Sequence, residues 1–228
     1  LGTSSVKALL LSIGTGESLA DAAVTYPLYS PHPGWAEQNP ADWLTSTIQC
    51  VRMVMEKARL EAGDIAALSF SGQMHGLVCI DNSLKVIRPA IIWADQRSEA
   101  QCEHIKRMVT QDFLINELGN PVVTGFLLPS WLWLREHDPE TAKRAHKLVL
   151  PKDYLRYCFT GEIWTEPSDA SGTLLLNYLQ RNWSESVLDL FSIPQNLLPD
   201  IIDSTAFAGT LKQEVAKELG LLNGTPVI

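Results

Sequence analysis

An apolar run that ends abruptly in a polar loop flanked by glycines constrains this chain more than any other feature. Ile65–Leu68 is predicted to be a buried strand, and Ser69–Gly76 follows it as the loop. Glycine lets a backbone approach a ligand closely, and open α/β sheets place their ligands at strand ends. Because Gln73 and His75 can both donate and accept hydrogen bonds, the loop suits a small hydroxylated molecule rather than metal or nucleic acid. The alternative is a tight turn whose histidine is satisfied within the fold.

The charge balance narrows the class of partner. The chain has 228 residues, 46% of them apolar, which suits one large α/β domain or two small ones. Its net charge of −8 and its pI of about 5.1 argue against nucleic acid and against an anionic membrane surface. Any phosphate that the protein handles must therefore be held locally, by backbone amides, a few cations or Mg2+.

The four cysteines predict a reduced, cytoplasmic protein. They are widely scattered without a CxxC motif, and nothing near Cys102 and His104 completes a zinc site. No apolar run reaches the roughly 18 residues of a membrane span, and no signal peptide is visible. Since the chain starts at Leu1 without a methionine and stops at Pro226–Ile228, where a strand begins, we expect a domain of a longer protein.

Apolar periodicity along the chain predicts a mixed five-stranded sheet with helices on both faces. Asp95 is predicted to cap the helix that follows it, and Glu166–Gly172 is predicted to be a loop. The predicted strands are Val6–Ser12, Ala22–Tyr26, Ile65–Leu68, Leu77–Ile80, Val86–Ile87 and Ala90–Trp93. The predicted helices are one from Asn39-Pro40 with the core face Leu44, Ile48, Val51 and Met55, one from Asp95 through Ile105, and then Pro129–Arg135, Pro139–Lys147, Asp153–Phe159, Ser184–Phe191 and Leu211–Leu219.

Six blocks of the sequence, taken in order, resemble the N-terminal domain of the FGGY carbohydrate kinase family. They run over essentially the whole chain: Leu1–Lys7, Pro33–Pro40, Ser71–Gly76, Arg88–Arg97, Leu150–Arg156 and Ser168–Thr173. One glycine-threonine loop would be weak evidence, whereas six ordered blocks with the family's spacing are specific. Family members that act on glycerol carry Arg-Glu where this chain has Met74 and His75.

The resemblance implies an α/β, ribonuclease H-like domain of the actin and hexokinase superfamily, in which two domains close on the substrates. Residues 1–228 would be the sugar-binding N-terminal domain, with the C-terminal domain outside this chain. The resemblance also implies ATP-dependent phosphorylation of D-xylulose on its terminal hydroxyl, giving D-xylulose 5-phosphate, with ATP and Mg2+ as cofactors. The expected partners are the sugar and ATP, without nucleic acid or membrane, and a homodimer is left open.

Gly2, Thr3 and Ser4 match the family's phosphate loop. Such a small, amide-rich turn can face the phosphate oxygens of ATP, and the alternative is an ordinary β-turn. Lys7 is interpreted as a solvated strand residue rather than a catalyst.

Gln73, Met74, His75 and Trp93 match the family's sugar-binding positions. His75 could hydrogen-bond a sugar hydroxyl, and Met74 could supply an adaptable apolar wall. The flat ring of Trp93 could cover the C–H face of a sugar, and the alternative for Trp93 is core packing at a strand end.

The resemblance places no catalytic base in this chain. The family's base is an aspartate expected after Ile228, and its metal-organising aspartate is expected before Leu1. The isolated chain is therefore expected to fold but to be inactive. Asp95 and Arg97 are interpreted as a helix cap and an ion pair. Further residues without a predicted catalytic role are Lys152 and Asp153, which would flank and cap a helix, and His32, His104, His137 and His146.

Two other functions stay open at this point. The first is another kinase of the same family, acting on a different ketose or polyol, because the missing half of the pocket could redirect specificity. The second is a non-catalytic nucleotide-binding or interaction domain of the actin-like superfamily. The Met74-His75 pair and Trp93 argue against the second, because such a domain does not need a sugar loop.

Overall fold

A long β-hairpin opens the chain and supports its longest helix. The computed structural model describes residues 1–228 without a gap. Strand β1 (Ser5–Leu11) pairs antiparallel with β2 (Ser18–Thr25), and helix α1 (Pro40–Ala58) packs against this pair. Trp43 of α1 is fully buried in the apolar cluster that the hairpin and the helix share.

Helix α1 begins where the sequence predicts, but its most buried face is the neighbouring one. The side chain of Asn39 accepts a hydrogen bond from Ala41 N at 3.2 Å, and Pro40 lies in the first turn. The predicted face, Leu44, Ile48, Val51 and Met55, is only half-buried, whereas Trp43, Thr47, Cys50 and Val54 are fully buried. Because Thr47 is polar, the apolar pattern alone did not mark the fully buried face.

The remaining elements are short. The other strands are β3 (Glu37–Gln38), β4 (Val78–Ile80), β5 (Ala90–Ile91), β6 (Lys147–Val149), β7 (Trp164–Thr165), β8 (Leu176–Asn177), β9 (Asn182–Trp183), β10 (Asp200–Ile201), β11 (Gly209–Thr210) and β12 (Pro226–Val227). The other helices are α2 (Glu99–Met108), α3 (Gln111–Phe113), α4 (Leu127–His137), α5 (Pro139–Arg144), α6 (Pro151–Thr160), α7 (Pro167–Ser171), α8 (Glu185–Leu190) and α9 (Gln213–Leu219). Single turns of other helix types lie at Ala62–Asp64, Leu114–Leu118 and Gln195–Leu197.

The fold is mixed α/β, as predicted, but a single five-stranded sheet is not confirmed. The strands form six two-stranded pairs, five of them antiparallel; only β7 and β10 run parallel. Isolated bridges extend the pairs: Leu77 joins β4 to Ile91 of β5, and Ile80 bridges Val86 in the predicted second hairpin.

The predicted strand Ile65–Leu68 is not buried and makes only one bridge, from Leu68 to Val227. An apolar groove of about 460 Å³ separates this segment from β1. The two backbones therefore do not pair, and this gap is one reason why the predicted sheet is divided.

The predictions for Asp95 and for Glu166–Gly172 are wrong. Asp95 does not cap α2, because Ser98 holds the N-cap position; the Asp95 carboxylate instead accepts from Ala36 N at 2.6 Å. The predicted ion pair is present, with Arg97 Nη2 2.7 Å from Asp95 Oδ2. Glu166–Gly172 is not a loop: the Glu166 carboxylate caps α7 by accepting from the first amides of that helix.

The loop Ser69–Gly76 lies where three apolar clusters meet. Phe70 packs against the cluster between α6 and α9, Leu77 belongs to the largest cluster, and Val78 belongs to the cluster of the hairpin and α1. The loop is therefore anchored on both sides by core residues. None of the helices is long and apolar enough to span a bilayer.

The loop is packed directly against the first turn of α6. A Cβ added at Gly72 would lie 2.8 Å from Lys152 Cβ, and one added at Gly76 would lie 2.9 Å from Pro151 Cγ. Glycine is required here because the loop backbone lies against a helix, whereas the sequence analysis expected it to approach a ligand.

Replacing Gly72 with alanine should lower the free energy of unfolding by ~1–3 kcal/mol, because the added carbon overlaps the α6 backbone region and forces it to move. Gly63→Ala is the matched control, since nothing lies within 4 Å of a Cβ there. That control should be neutral or stabilising by up to ~1 kcal/mol through the unfolded state. Urea denaturation of both variants measures the difference, and equal effects would show that the loop is not tightly packed.

Candidate functional site

His75 lies at the tip of the loop in a left-handed backbone conformation, with φ of 72°. Its Nδ1 lies 2.8 Å from the carbonyl oxygen of Gly172, and its ring stacks on Phe126 with centroids 3.8 Å apart. Because a carbonyl oxygen can only accept, this contact assigns the proton to Nδ1 and leaves a lone pair on Nε2. Burial lowers the pKa of His75, so the ring is neutral at pH 7. One nitrogen is therefore satisfied by the fold, and the other is an acceptor.

Met74, next to His75 in the loop, and Trp93 both present apolar surface to solvent. Met74 is 57% exposed and Trp93 is 45% exposed, so Trp93 is not the core residue that the alternative interpretation required. The indole Nε1 of Trp93 donates to Thr3 Oγ1 at 2.8 Å. This bond fixes the ring and brings a predicted sugar-binding residue into contact with the predicted phosphate loop.

The predicted phosphate loop is a tight turn with two uncommitted amides. Gly2 N donates to Ser5 O at 2.9 Å, and the Tyr26 hydroxyl donates to Gly2 O. The Thr3 carbonyl accepts from the side chain of Gln38 at 2.6 Å. The backbone amides of Thr3 and Ser4 make no hydrogen bond within the chain. The turn is thus held by Gly2 N and by the carbonyls of Gly2 and Thr3. The amides of Thr3 and Ser4 are left as donors for a ligand.

The two predicted loops lie side by side. Leu1 N donates to Ser71 O at 2.8 Å, and Gln73 N donates to Leu1 O at 2.6 Å. The side chain of Gln73, predicted to contact sugar, is buried, and its Nε2 donates to Gln38 Oε1 at 2.7 Å. Gln73 Oε1 is buried without a partner. Gln73 therefore supports the loop from behind, while Met74 and His75 form its outer surface.

A buried cluster of charges lies beneath the loop, and the sequence interpretation missed it. Lys152, 5% exposed, places its Nζ 3.0 Å from Glu166, 3.3 Å from Asp169 and 3.4 Å from Asp153. Arg156 adds a second cation, 3.3 Å from Asp153. Asp153 does not cap the helix as predicted, since no side chain caps α6, and Lys152 is a buried residue of its first turn. The only sequence signal was that Lys152, Asp153, Arg156 and Asp169 lie within two of the six family blocks, whereas Glu166 lies outside all six.

The carboxylates of this cluster differ in how strongly they hold their charge. Burial raises the pKa of Asp153 and of Asp169, although Lys152 acts in the opposite direction. Burial opposes ionisation of Glu166 too, but hydrogen bonds from Ser204 and Ser168 and the charge of Lys152 hold its pKa well below the usual range. Glu166 is therefore the firmly ionised partner of Lys152.

Glu166 should make the stability of the fold depend on acid pH. Its folded pKa lies below the model-peptide value of 4.5, so it contributes stability above that pH, which is lost as pH falls toward the folded pKa. We expect Glu166→Gln to be less stable than wild type by ~1–3 kcal/mol at neutral pH, and the difference to shrink from about pH 5 to about pH 3. Thermal unfolding at several pH values measures it.

The exposed ion pair of Glu140 and Lys143 supplies the control, because Glu140→Gln should change stability by less than about 1 kcal/mol at every pH. A difference between wild type and the Glu166 variant that did not change with pH would contradict this assignment.

The chain is similar to known proteins along its whole length. Residues 1–228 match the FGGY family of carbohydrate kinases, N-terminal domain. The chain is 40% identical over 227 residues to xylulose kinase of Bacillus subtilis (strain 168), covering 100% of this chain and 45% of that protein. Ligand-bound xylulose kinase from Lactobacillus acidophilus has a TM-score of 0.92 at 27% identity, covering 100% of this chain and 46% of that chain.

Gluconate kinase from Lactobacillus acidophilus is equally similar in structure, with a TM-score of 0.92 at 27% identity over 100% of this chain and 45% of that chain. This chain thus spans somewhat less than half the length of the relatives that it matches. Over all of its own residues, it belongs to the FGGY family of carbohydrate kinases, as an N-terminal domain of that family.

Proposed function

We propose that the protein containing this chain phosphorylates D-xylulose with ATP, giving D-xylulose 5-phosphate, and that residues 1–228 form its sugar-binding domain. The observation that carries the proposal is the 2.8 Å hydrogen bond between Trp93 and Thr3, which holds the candidate sugar surface beside the candidate phosphate loop. Phosphoryl transfer depends mainly on such positioning and on charge stabilisation. The relative named xylulose kinase, at 40% identity, supports the choice of sugar.

His75, Met74 and Trp93 would recognise the sugar in different ways. The lone pair of His75 Nε2 would accept a hydrogen bond from a sugar hydroxyl, because Nδ1 is committed to Gly172 O. The exposed Trp93 ring would cover C–H groups of the sugar, and Met74 would form an adaptable apolar wall. A polyol without a matching hydroxyl would leave Nε2 unpaired in a closed site, which costs affinity.

The phosphate loop fits the phosphate groups of ATP, because the amides of Thr3 and Ser4 have no acceptor in the chain. No group of three or more histidine, cysteine or acidic residues in residues 1–228 could hold a metal ion. Mg2+ would therefore arrive with ATP.

We assign no general base to this chain. The buried carboxylates Asp153, Glu166 and Asp169 are all within 3.4 Å of Lys152 Nζ, so they are occupied with charge pairing.

We further propose a ribonuclease H-like arrangement of the actin and hexokinase type and a reducing, cytoplasmic location. The second rests on the four cysteines, which are all free.

Gluconate phosphorylation is the second candidate, and the similarity in structure to gluconate kinase favours it. Gluconate is an acid, so its site would need a cation close to the sugar surface. Lys152 is already surrounded by three carboxylates. The neutral His75 and the apolar Met74 are better matched to an uncharged ketose.

The protein at its natural length should turn over D-xylulose in preference to gluconate and glycerol. The reason is that Met74 and His75 offer an apolar wall and a neutral acceptor, without a free cation. ADP release with each of these compounds at equal concentration measures the preference. Better turnover of gluconate would transfer the assignment to the second candidate.

Replacing His75 with asparagine should lower kcat/KM for D-xylulose about 10- to 100-fold, which corresponds to ~1–3 kcal/mol for a lost hydrogen bond in a closed site. Asparagine tolerates the left-handed backbone of this position better than alanine does, so the loop should keep its shape. Steady-state kinetics with varied sugar, and then with varied ATP, separate the effect on use of the sugar from the effect on use of ATP.

His137→Asn is the matched control, because that histidine bonds Trp133 O within its own helix at 3.1 Å, away from the loop. KM for ATP should change little in either variant. Wild-type sugar kinetics in the His75 variant would identify this histidine as a turn residue only.

A further inference from the structure

Gln38 is a fully buried amide beneath the two candidate loops. It lies on β3, with 0% of its surface exposed, in the block Pro33–Pro40 to which no function is assigned above. Its Nε2 donates to Thr3 O at 2.6 Å. Its Oε1 accepts from Gln73 Nε2 at 2.7 Å and from Trp43 Nε1 at 3.0 Å.

The three partners of Gln38 belong to three separate parts of the chain. Thr3 is in the phosphate loop (Gly2–Ser4), Gln73 is in the loop Ser69–Gly76, which we call the sugar loop, and Trp43 is on α1. Only a side chain that donates and accepts at once can hold all three. An ionised carboxylate of the same length lacks the donor, and an aliphatic side chain lacks both functions.

The bond to Thr3 decides the direction of the next amide. In a planar trans peptide, the C=O and the N–H point in opposite directions. Because Gln38 holds the Thr3 carbonyl toward the interior, the N–H of Ser4 is turned away from Gln38. That N–H makes no hydrogen bond within the chain. An amide turned outward and left unpaired is what phosphate binding requires.

Thr3 is also held from its other side. Its hydroxyl accepts from Trp93 Nε1, while its carbonyl is linked through Gln38 to Gln73. We call the hydrogen-bonded series Gln73–Gln38–Thr3 the Gln38 bridge. It joins the sugar loop to the phosphate loop through the protein interior.

We propose that Gln38 is a positioning residue, which sets the phosphate loop relative to the sugar loop and aims the Ser4 amide at a phosphate of ATP. It touches neither substrate. The inference rests on the proposed function for the use of ATP, and it holds whichever sugar is phosphorylated. Misplacing reacting groups by ~1 Å can cost ~100-fold in rate, so the bridge should matter for catalysis.

Gln38→Glu tests the donor by itself. An ionised glutamate keeps an oxygen for Gln73 and Trp43 but turns a second oxygen toward the Thr3 carbonyl. We expect kcat/KM for ATP to fall about 100-fold, with KM for the sugar changed less than about 3-fold. Relative to wild type, activity should recover as pH is lowered, because a protonated carboxyl can again donate to Thr3 O. Gln38→Leu should show the loss at every pH.

Trp43→Phe is the matched control, because it removes only the contact with α1 and leaves the Gln38 bridge intact. It should lower the unfolding temperature and leave ATP kinetics near those of wild type. The affinity for ATP is measured by calorimetry for every variant, in addition to the kinetics. If wild type phosphorylates neither D-xylulose, gluconate nor glycerol, the proposed function fails, and ATP binding still decides the role of Gln38.

Three results would overturn the inference. One is lower stability of the Gln38 variants with wild-type ATP binding, which identifies a purely structural residue. Another is an equal loss of ATP binding in Trp43→Phe. The third is wild-type ATP kinetics in Gln38→Asn, whose buried amide is too short to reach both Thr3 and Gln73. Gln38→Asn also replaces Gln38→Leu as the test if the leucine variant fails to fold.

Discussion

The contact between the sugar loop and the first turn of α6 has no room for one additional carbon, and the site depends on it. Gly72 and Gly76 let the loop rest on Lys152 and Pro151. With the backbone held there, His75 is carried out into a left-handed tip. The same contact covers Lys152 and removes it from water. The conformation of the sugar loop and the burial of Lys152 thus both depend on the close approach of this loop to α6.

The buried charges in turn position the histidine. An unpaired Lys152 in this location would be very costly, so its three carboxylates are required rather than incidental. Glu166 both pairs with Lys152 and caps α7. Gly172 is the C-cap residue of α7, and its carbonyl accepts a hydrogen bond from His75 Nδ1. A continuous series of contacts therefore connects Lys152 below the loop, through Glu166 and α7, to the carbonyl that bonds His75.

The parts of this architecture that were predictable from sequence are the local ones. The cap at Asn39 depends on near neighbours and is found. The packing at Gly72 is not local, because its neighbour is Lys152 of α6, and the sequence pattern did not identify that partner. The predicted cap at Asp95 is wrong because the Asp95 carboxylate accepts a hydrogen bond from Ala36 N, which is distant in sequence. The role of Lys152 was missed for the same reason: its partners Glu166 and Asp169 lie beyond the reach of helical periodicity.

The candidate site is made almost entirely from contacts that are distant in sequence. Thr3 and Trp93 are separated by 90 residues, His75 and Gly172 by 97, and the Gln38 bridge spans 35 on each side. Each of these contacts closes a loop of at least 35 residues, so the site depends on the tertiary fold rather than on local structure. A substitution that loosens the packing of the hairpin, α1 or α6 should alter substrate binding even where it lies far from the sugar.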